Sequence, residues 1–266
     1  MLFHSAISLT AVLIGTFLAP GSFANTSVPV VLVHGANFSG ASWAWVQRDL
    51  ENQGVPSIAP SLYESGEQIN LQDAAERLCA VLPKENGGAI LVGHSQGGAI
   101  ITQAAATCPE HVQMLIYVAS VIPLSGEGVF DDLSQADNNS YARCGTLSQG
   151  SNSYFLQGFD PCREVFFPDA QPNLAQEYFA TMVSEPAALG NSHANYAPNI
   201  IQNFKKYYIE TTRDQIISDA TQHKIEHKIP LQGIFTIDSS HTPFFGQHRA
   251  LSDLLVTLRR RQLNAR

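Results

Sequence analysis

The stretch AILVGHSQGGAII, residues 89 to 101, sets Ser95 between an apolar run and a helical pattern, with Gly93 and Gly97 two positions away on either side. A strand that ends in Gly-x-Ser-x-Gly and opens a helix forces its Ser into a strained turn, so that Oγ projects above the carboxyl edge of a sheet. Side chains at the two Gly positions would collide with the neighbouring strand or helix. A Ser hydroxyl is a poor nucleophile at neutral pH and needs a base oriented by a carboxylate. His241, in IDSSHTPFF, follows the last predicted strand, and Asp214, in YIETTRDQIIS, follows the strand before it. The three fall in the order Ser, Asp, His and on one edge of the predicted sheet. Asp238 is the alternative acid, but it stands only three residues before His241, at a strand end from which Nδ1 is hard to reach. His223, His227 and His248 fall in predicted helices, His94 inside the turn is expected to pack or hydrogen-bond locally, and His193 is a candidate for touching substrate.

Attack on a carbonyl creates an oxyanion that needs donors aimed at it. The backbone N–H of Gln96, next to the nucleophile at a helix N-terminus, is one candidate. The other is Ala36 in the loop HGANFSGASW after the first strand, where Gly35 permits a sharp bend and His34 can brace the chain. Asn37 and Phe38 should lie close to substrate. Phe155 and Phe159, with Phe166 and Phe167, are candidates for an acyl pocket. No His-x-His-x-Asp-His cluster occurs and no Cys spacing matches a zinc site, so no metal or other cofactor is expected.

These residues need a scaffold. Short runs at 28–35, 55–60, 88–95, 114–120, 205–212 and 231–238 are continuously rather than alternately apolar, the mark of parallel strands buried on both faces. Helical patterns fill the intervals near 41–53, 70–82, 96–107, 214–227 and 246–262, which makes the class α/β. The interval from about 121 to 204 is too long for a crossover and reads as an inserted cap.

With these residues placed, VLVHGANFSGASWAW, LVGHSQGG, YYIETTRDQI and DSSHTPFF resemble the α/β-hydrolases, more narrowly the esterase and hydroxynitrile lyase group that includes the plant salicylate methylesterases. The resemblance spans most of the chain after residue 28 and is weakest in the cap. It implies a mostly parallel sheet of about six strands, a triad of Ser95, Asp214 and His241, and oxyanion donors at Ala36 and Gln96. The lyases of that group carry Thr after the first-loop His and Lys after the triad His; here these are Gly35 and Thr242, which argues for ester hydrolysis. Dehalogenases and epoxide hydrolases of the fold place Asp where this chain has Ser95. Bacterial relatives include carboxylesterases and metal-independent N-acyl-homoserine lactone hydrolases, so the expected substrate is a small hydrophobic ester or lactone. A non-catalytic receptor of the same fold is the alternative from another class.

The 266 residues carry a net charge of −8, with RRR at 259–261 as the one basic block, which argues against a nucleic-acid partner. Residues 1–24 read as a signal peptide: an apolar run from Ala6 to Leu18, too short to span a bilayer, then Pro20, Gly21 and small residues. This predicts a periplasmic or secreted domain over 25–266 without stable membrane insertion. Its n-region has only His4 as a basic side chain, which leaves an uncleaved anchor or a cytoplasmic mis-start as alternatives. Four cysteines suit an exported protein; Cys144–Cys162 with Cys79–Cys108 is favoured among the three connectivities, against four free thiols.

Overall fold

In this computed structural model, residues 28–85, 87–147 and 152–264 are described. The expected signal peptide lies outside them. Six parallel strands form one sheet: β1 (Val30–Val33), β2 (Ser57–Ile58), β3 (Ala89–His94), β4 (Val112–Val118), β8 (Lys205–Thr211) and β9 (Gly233–Ile237), in the order β2-β1-β3-β4-β8-β9. Every residue of β1, β3 and β4 is buried, which is why these runs are apolar without alternation.

Helices α1 (Ala44–Asn52), α2 (Leu71–Val81), α3 (Gly97–Thr107), α8 (Asp219–Glu226), α9 (Pro243–Gly246) and α10 (His248–Leu263) connect and cover the strands. The helix α1 packs with α10, and α2 with α3. From β1 the chain steps outward to β2, then returns to place β3 on the other side of β1. The loops after β1 and β3 therefore diverge, and a crevice opens at the carboxyl ends of the two strands.

Between β4 and β8 lies the insertion: α4 (Gln135–Tyr141), β5 (Gly145–Leu147), β6 (Ser153–Leu156), α5 (Phe159–Phe166), α6 (Pro172–Phe179), β7 (Glu185–Pro186) and α7 (Ala187–Gly190), with its strands in a small antiparallel sheet ordered β5-β6-β7. Asp137 caps α4 through Ser134 and also accepts from Ser218 N and Thr221 Oγ1, which ties the insertion to the start of α8. Both expected disulfides are present: Cys79–Cys108 joins α2 to the end of α3, and Cys144–Cys162 pins the approach to β5 onto α5.

Three boundaries differ from the sequence reading. The 55–60 strand keeps only two residues. The 214–227 helix starts at Asp219, because the Asp214 carboxylate captures the N–H groups of Ile216 and Ile217 in a turn. The last helix, α10, starts at His248, with the separate short α9 just before it. Among the described residues no helix is long and apolar enough to cross a membrane.

Candidate active site

Ser95 follows β3 and precedes α3 at φ +52°, a left-handed conformation that costs a non-glycine residue roughly 1–3 kcal/mol. The turn is held from several sides. Ser95 N–H donates to Val118 O, and Ser95 O accepts from Gly98 N, Val121 N and Ser120 Oγ. A Cβ on Gly93 would sit 2.5 Å from Gly97 O, and one on Gly97 2.7 Å from Val33 O, so the crossing leaves no room for side chains.

Of the two candidate acids, Asp214 is the one that meets His241. The His241 Nδ1–H donates to Asp214 Oδ2 at 2.7 Å, with both side chains fully buried. Asp214 Oδ2 also accepts from Thr211 Oγ1, and Oδ1 accepts from Ile216 N and Ile217 N, so four donors converge on one carboxylate. Asp238 instead pairs with Arg213 and leaves its side chain 77% exposed. His241 Nε2, the nitrogen left for a nucleophile, is buried and has no hydrogen-bond partner among the described residues.

His94 does more than pack locally. Its Nε2–H donates 2.8 Å to the carbonyl of His241, 147 residues away in sequence, and so fixes the backbone that carries the imidazole. Burial holds its pKa well below the usual histidine range, which keeps it neutral. His34 braces the first loop as expected: Nδ1–H donates to Gly35 O and Nε2 accepts from Leu62 N. Burial lowers its pKa to about 4.

The backbone N–H groups of Ala36 and Gln96 take no acceptor among the described residues, although Ala36 is 5% and Gln96 0% exposed. Buried N–H groups without partners are rare and suit a site that receives developing negative charge.

A cavity of about 270 Å³ opens over Ser95 and Ala36. Phe130, Leu133, Tyr141, Tyr154, Phe166, Ile216 and Ile217 contribute to its wall, and among the described residues no charged side chain lines it. Of the residues expected near substrate, Phe166 lies in that lining, whereas Asn37, Phe38, Phe155, Phe159 and Phe167 do not. Phe155 points outward at 45% exposure, while its β6 neighbour Tyr154 points in, as strand alternation requires. Phe159 packs on Phe179. Phe38 is sealed against Phe166, Phe244, Phe245 and His94. His193 bridges Gly128 outside the cavity.

Asn37, at φ +61°, is fully buried and serves the insertion: Nδ2 donates to Tyr154 O and Val183 O, and Oδ1 accepts from Tyr141 OH. Its backbone N–H reaches Glu185 Oε2. Tyr141, Tyr154, Glu185 and the Ile216–Ile217 pair were not singled out from sequence, where each is an ordinary residue in an irregular stretch. Glu210, His223 and Glu226 bring possible metal-ligand atoms within 4.8 Å of one another, but none of the three lines the cavity.

Residues 30–254 match the model of the alpha/beta hydrolase family. A pyrethroid hydrolase of Sphingobium wenxiniae is 26% identical over 251 residues, covering 87% of this chain and 87% of its own length. Among solved structures, a pyrethroid hydrolase from Sphingobium faniae superposes with a TM-score of 0.75 at 20% identity, covering 88% of this chain and 97% of that one. An Arabidopsis methylesterase gives 0.71 at 19%, covering 87% and 98%. With a parallel six-stranded sheet, a strand-to-helix Ser turn and relatives named for ester hydrolysis, this chain belongs to the alpha/beta hydrolase family.

Proposed function

We propose that the protein is a serine carboxylesterase that cleaves neutral, hydrophobic esters through an acyl-enzyme. The observation that carries this reading is a strained Ser95 opening on an uncharged cavity, together with a His241 that Asp214 orients and whose buried Nε2 has no partner among the described residues. His241 Nε2 takes the Ser95 proton, Oγ attacks the carbonyl carbon, and the N–H groups of Ala36 and Gln96 receive the oxyanion. The protonated imidazole then donates its proton to the departing alkoxide. Water, deprotonated by His241, attacks the acyl-enzyme and releases the acid.

Substrate charge follows from the wall. With no Lys or Arg in the lining among the described residues, an anionic acyl group would lose its hydration without gaining a partner, so the favoured esters are neutral. The names of the methylesterase and pyrethroid hydrolase relatives agree with ester cleavage.

Lyase chemistry has little support. A Cβ at Gly35 would lie 2.8 Å from Ser95 Cβ, and the Thr242 hydroxyl is committed to Phe166 O. Two disulfides and no free cysteine among the described residues favour an oxidising compartment, in keeping with export to the periplasm or beyond.

The test is hydrolysis of p-nitrophenyl butyrate and of a long-chain N-acyl-homoserine lactone, with chelator present, by the wild-type protein and Ser95→Ala. Ester turnover by the wild type and a fall of several orders of magnitude in the variant is the expected result. Much higher kcat/KM for the lactone would make the protein a metal-independent lactonase. Saturable binding without product from either would assign it to the receptors, and Ser95→Ala within about tenfold of wild type would end the serine mechanism.

A further inference from the structure

The insertion reaches the site from behind as well as from above. Glu185, the first residue of β7, is 1% exposed and receives three donors. Its Oε1 accepts from Gln96 Nε2 at 2.5 Å, and its Oε2 accepts from the backbone N–H of Asn37 at 3.3 Å and from the Tyr63 hydroxyl. Gln96 belongs to the turn after β3 and Asn37 to the loop after β1, so one carboxylate spans the two loops that carry the candidate oxyanion donors.

A buried carboxylate without a cation is expensive, and the groups that act on Glu185 are Tyr63, Gln96 and Asn37, none of them positively charged. What such a group offers in return is acceptor capacity on both oxygens. Three donors arriving from separate segments can be held at one point only by a group that presents no hydrogen toward any of them. The anchoring is direct on both sides. The Asn37 N–H lies one peptide beyond Ala36, at the φ +61° residue that sets the direction of the Ala36–Asn37 segment. Gln96 carries the other candidate donor on its own backbone.

We propose that Glu185 is a positioning residue for the oxyanion hole: a carboxylate supplied by the insertion gathers the Ala36–Asn37 segment and Gln96 and fixes the spacing and aim of their N–H groups. The inference rests on the acyl-transfer reading of Ser95. Glu185 touches no reacting atom, so its loss should leave substrate binding intact and weaken stabilisation of the tetrahedral species.

The experiment compares Glu185→Met with Glu185→Gln and Ser95→Ala, using p-nitrophenyl butyrate and a trifluoromethyl ketone inhibitor whose serine adduct bears an oxyanion. In Glu185→Met, kcat should fall about tenfold to a hundredfold, less than loss of a whole donor, with KM within about twofold. Inhibitor affinity should weaken in step with kcat. Glu185→Gln should recover most of the loss, because the Gln96 amide can turn its unpartnered Oε1 toward the new NH₂ while the remaining oxygen still accepts from Asn37 and Tyr63. Should Glu185→Met fail to fold, Gln96→Met cuts the same tie while keeping the backbone donor, and should show the same split. A lower Tm with unchanged kcat per titrated site, or a rise in KM alone, would overturn the positioning role. If Ser95→Ala is inactive while Glu185→Met and Gln96→Met keep full kcat, this inference alone fails; if Ser95→Ala stays active, the acyl-transfer reading fails with it.

Discussion

Asp214→Asn replaces one oxygen of a carboxylate with NH₂ and changes almost nothing in volume, so its effect isolates hydrogen-bond direction. The four donors around Asp214 limit the new amide to two orientations. If the NH₂ takes the Oδ1 position it faces the N–H groups of Ile216 and Ile217, donor against donor, at about 1–3 kcal/mol for each buried bond lost. In the Oδ2 position it faces Thr211 Oγ1, which can turn to accept, and His241 Nδ1. The second orientation should win. His241 Nδ1 must then accept, which moves the ring proton to Nε2, and an imidazole protonated there cannot take the proton of Ser95. The expected loss in kcat is about 10³- to 10⁴-fold, or roughly 4–5.5 kcal/mol of transition-state stabilisation. The assay is p-nitrophenyl ester hydrolysis near pH 8, with Asp238→Asn alongside, since Asp238 is 77% exposed and engaged with Arg213. The Asp238 variant should stay within about twofold of wild type, as expected of an exposed acid outside the candidate site. Asp214→Asn within about tenfold of wild type, or an equal loss in both variants, would refute the assignment of the acid.

Replacing both Cys144 and Cys162 with Ala opens a cross-link of sequence separation 18, worth about 3 kcal/mol by chain entropy, so Tm should fall by roughly 6–12 °C. Melting curves of the variant and the oxidised wild type check this, and coincident curves would show that the cross-link does not stabilise the fold. A second prediction concerns pH. Burial raises the Glu185 pKa from an ordinary 4.5 to about 7, with Tyr63, Gln96 and Asn37 opposing the shift. The native state therefore binds the proton more tightly than the unfolded chain. The associated stability is present below pH 4.5 and is lost as pH rises through about 7, with an upper magnitude of about 3 kcal/mol. Glu185→Gln does not titrate, so its Tm minus that of wild type should increase from pH 5 to pH 7.5; a difference independent of pH would contradict the raised pKa.

The sheet edge was legible in the sequence because its constraints are local. Apolar runs buried on both faces announce parallel strands, and the spacing of Gly93, Ser95 and Gly97 specifies a turn that side chains at the flanks would destroy. His241 and Asp214 could be placed because each follows a recognisable strand by a few residues. The wall of the cavity was not legible, for an equally physical reason. It is assembled from α4, β5, β6, the end of α5 and the loop before α8, elements joined by contacts far apart in sequence. In β6, four residues long, nothing local decides which face turns inward, and a one-residue difference in register separates Phe155 in solvent from Tyr154 in the wall. Asn37 was expected to meet substrate because of its position in the first loop. Its amide instead finds Tyr154 O, Val183 O and Tyr141 OH, partners more than a hundred residues away.

That last network bears on how chemistry and selectivity are connected in this fold. One side of the site hangs from the sheet: Asp214 orients the His241 ring, and His94 holds its carbonyl. The other side hangs from the insertion, through Asn37, through Glu185, and through the Phe166 carbonyl that receives the Thr242 hydroxyl beside His241. Tyr141, Tyr154 and Phe166 form the cavity wall and at the same time anchor the loop after β1 or the residue after His241. A substitution of Tyr141 that reshapes the wall therefore also removes the hydroxyl that holds Asn37 Oδ1, whereas the Tyr154 and Phe166 carbonyls are main-chain groups that any side chain leaves in place. Leu133 and Leu147 line the same cavity with side chains that make no hydrogen bond, so pocket shape can be altered there with the polar supports left in place. Selectivity should thus be separable from turnover at the aliphatic positions of the wall and inseparable from it at Tyr141, whose side chain both lines the cavity and holds Asn37.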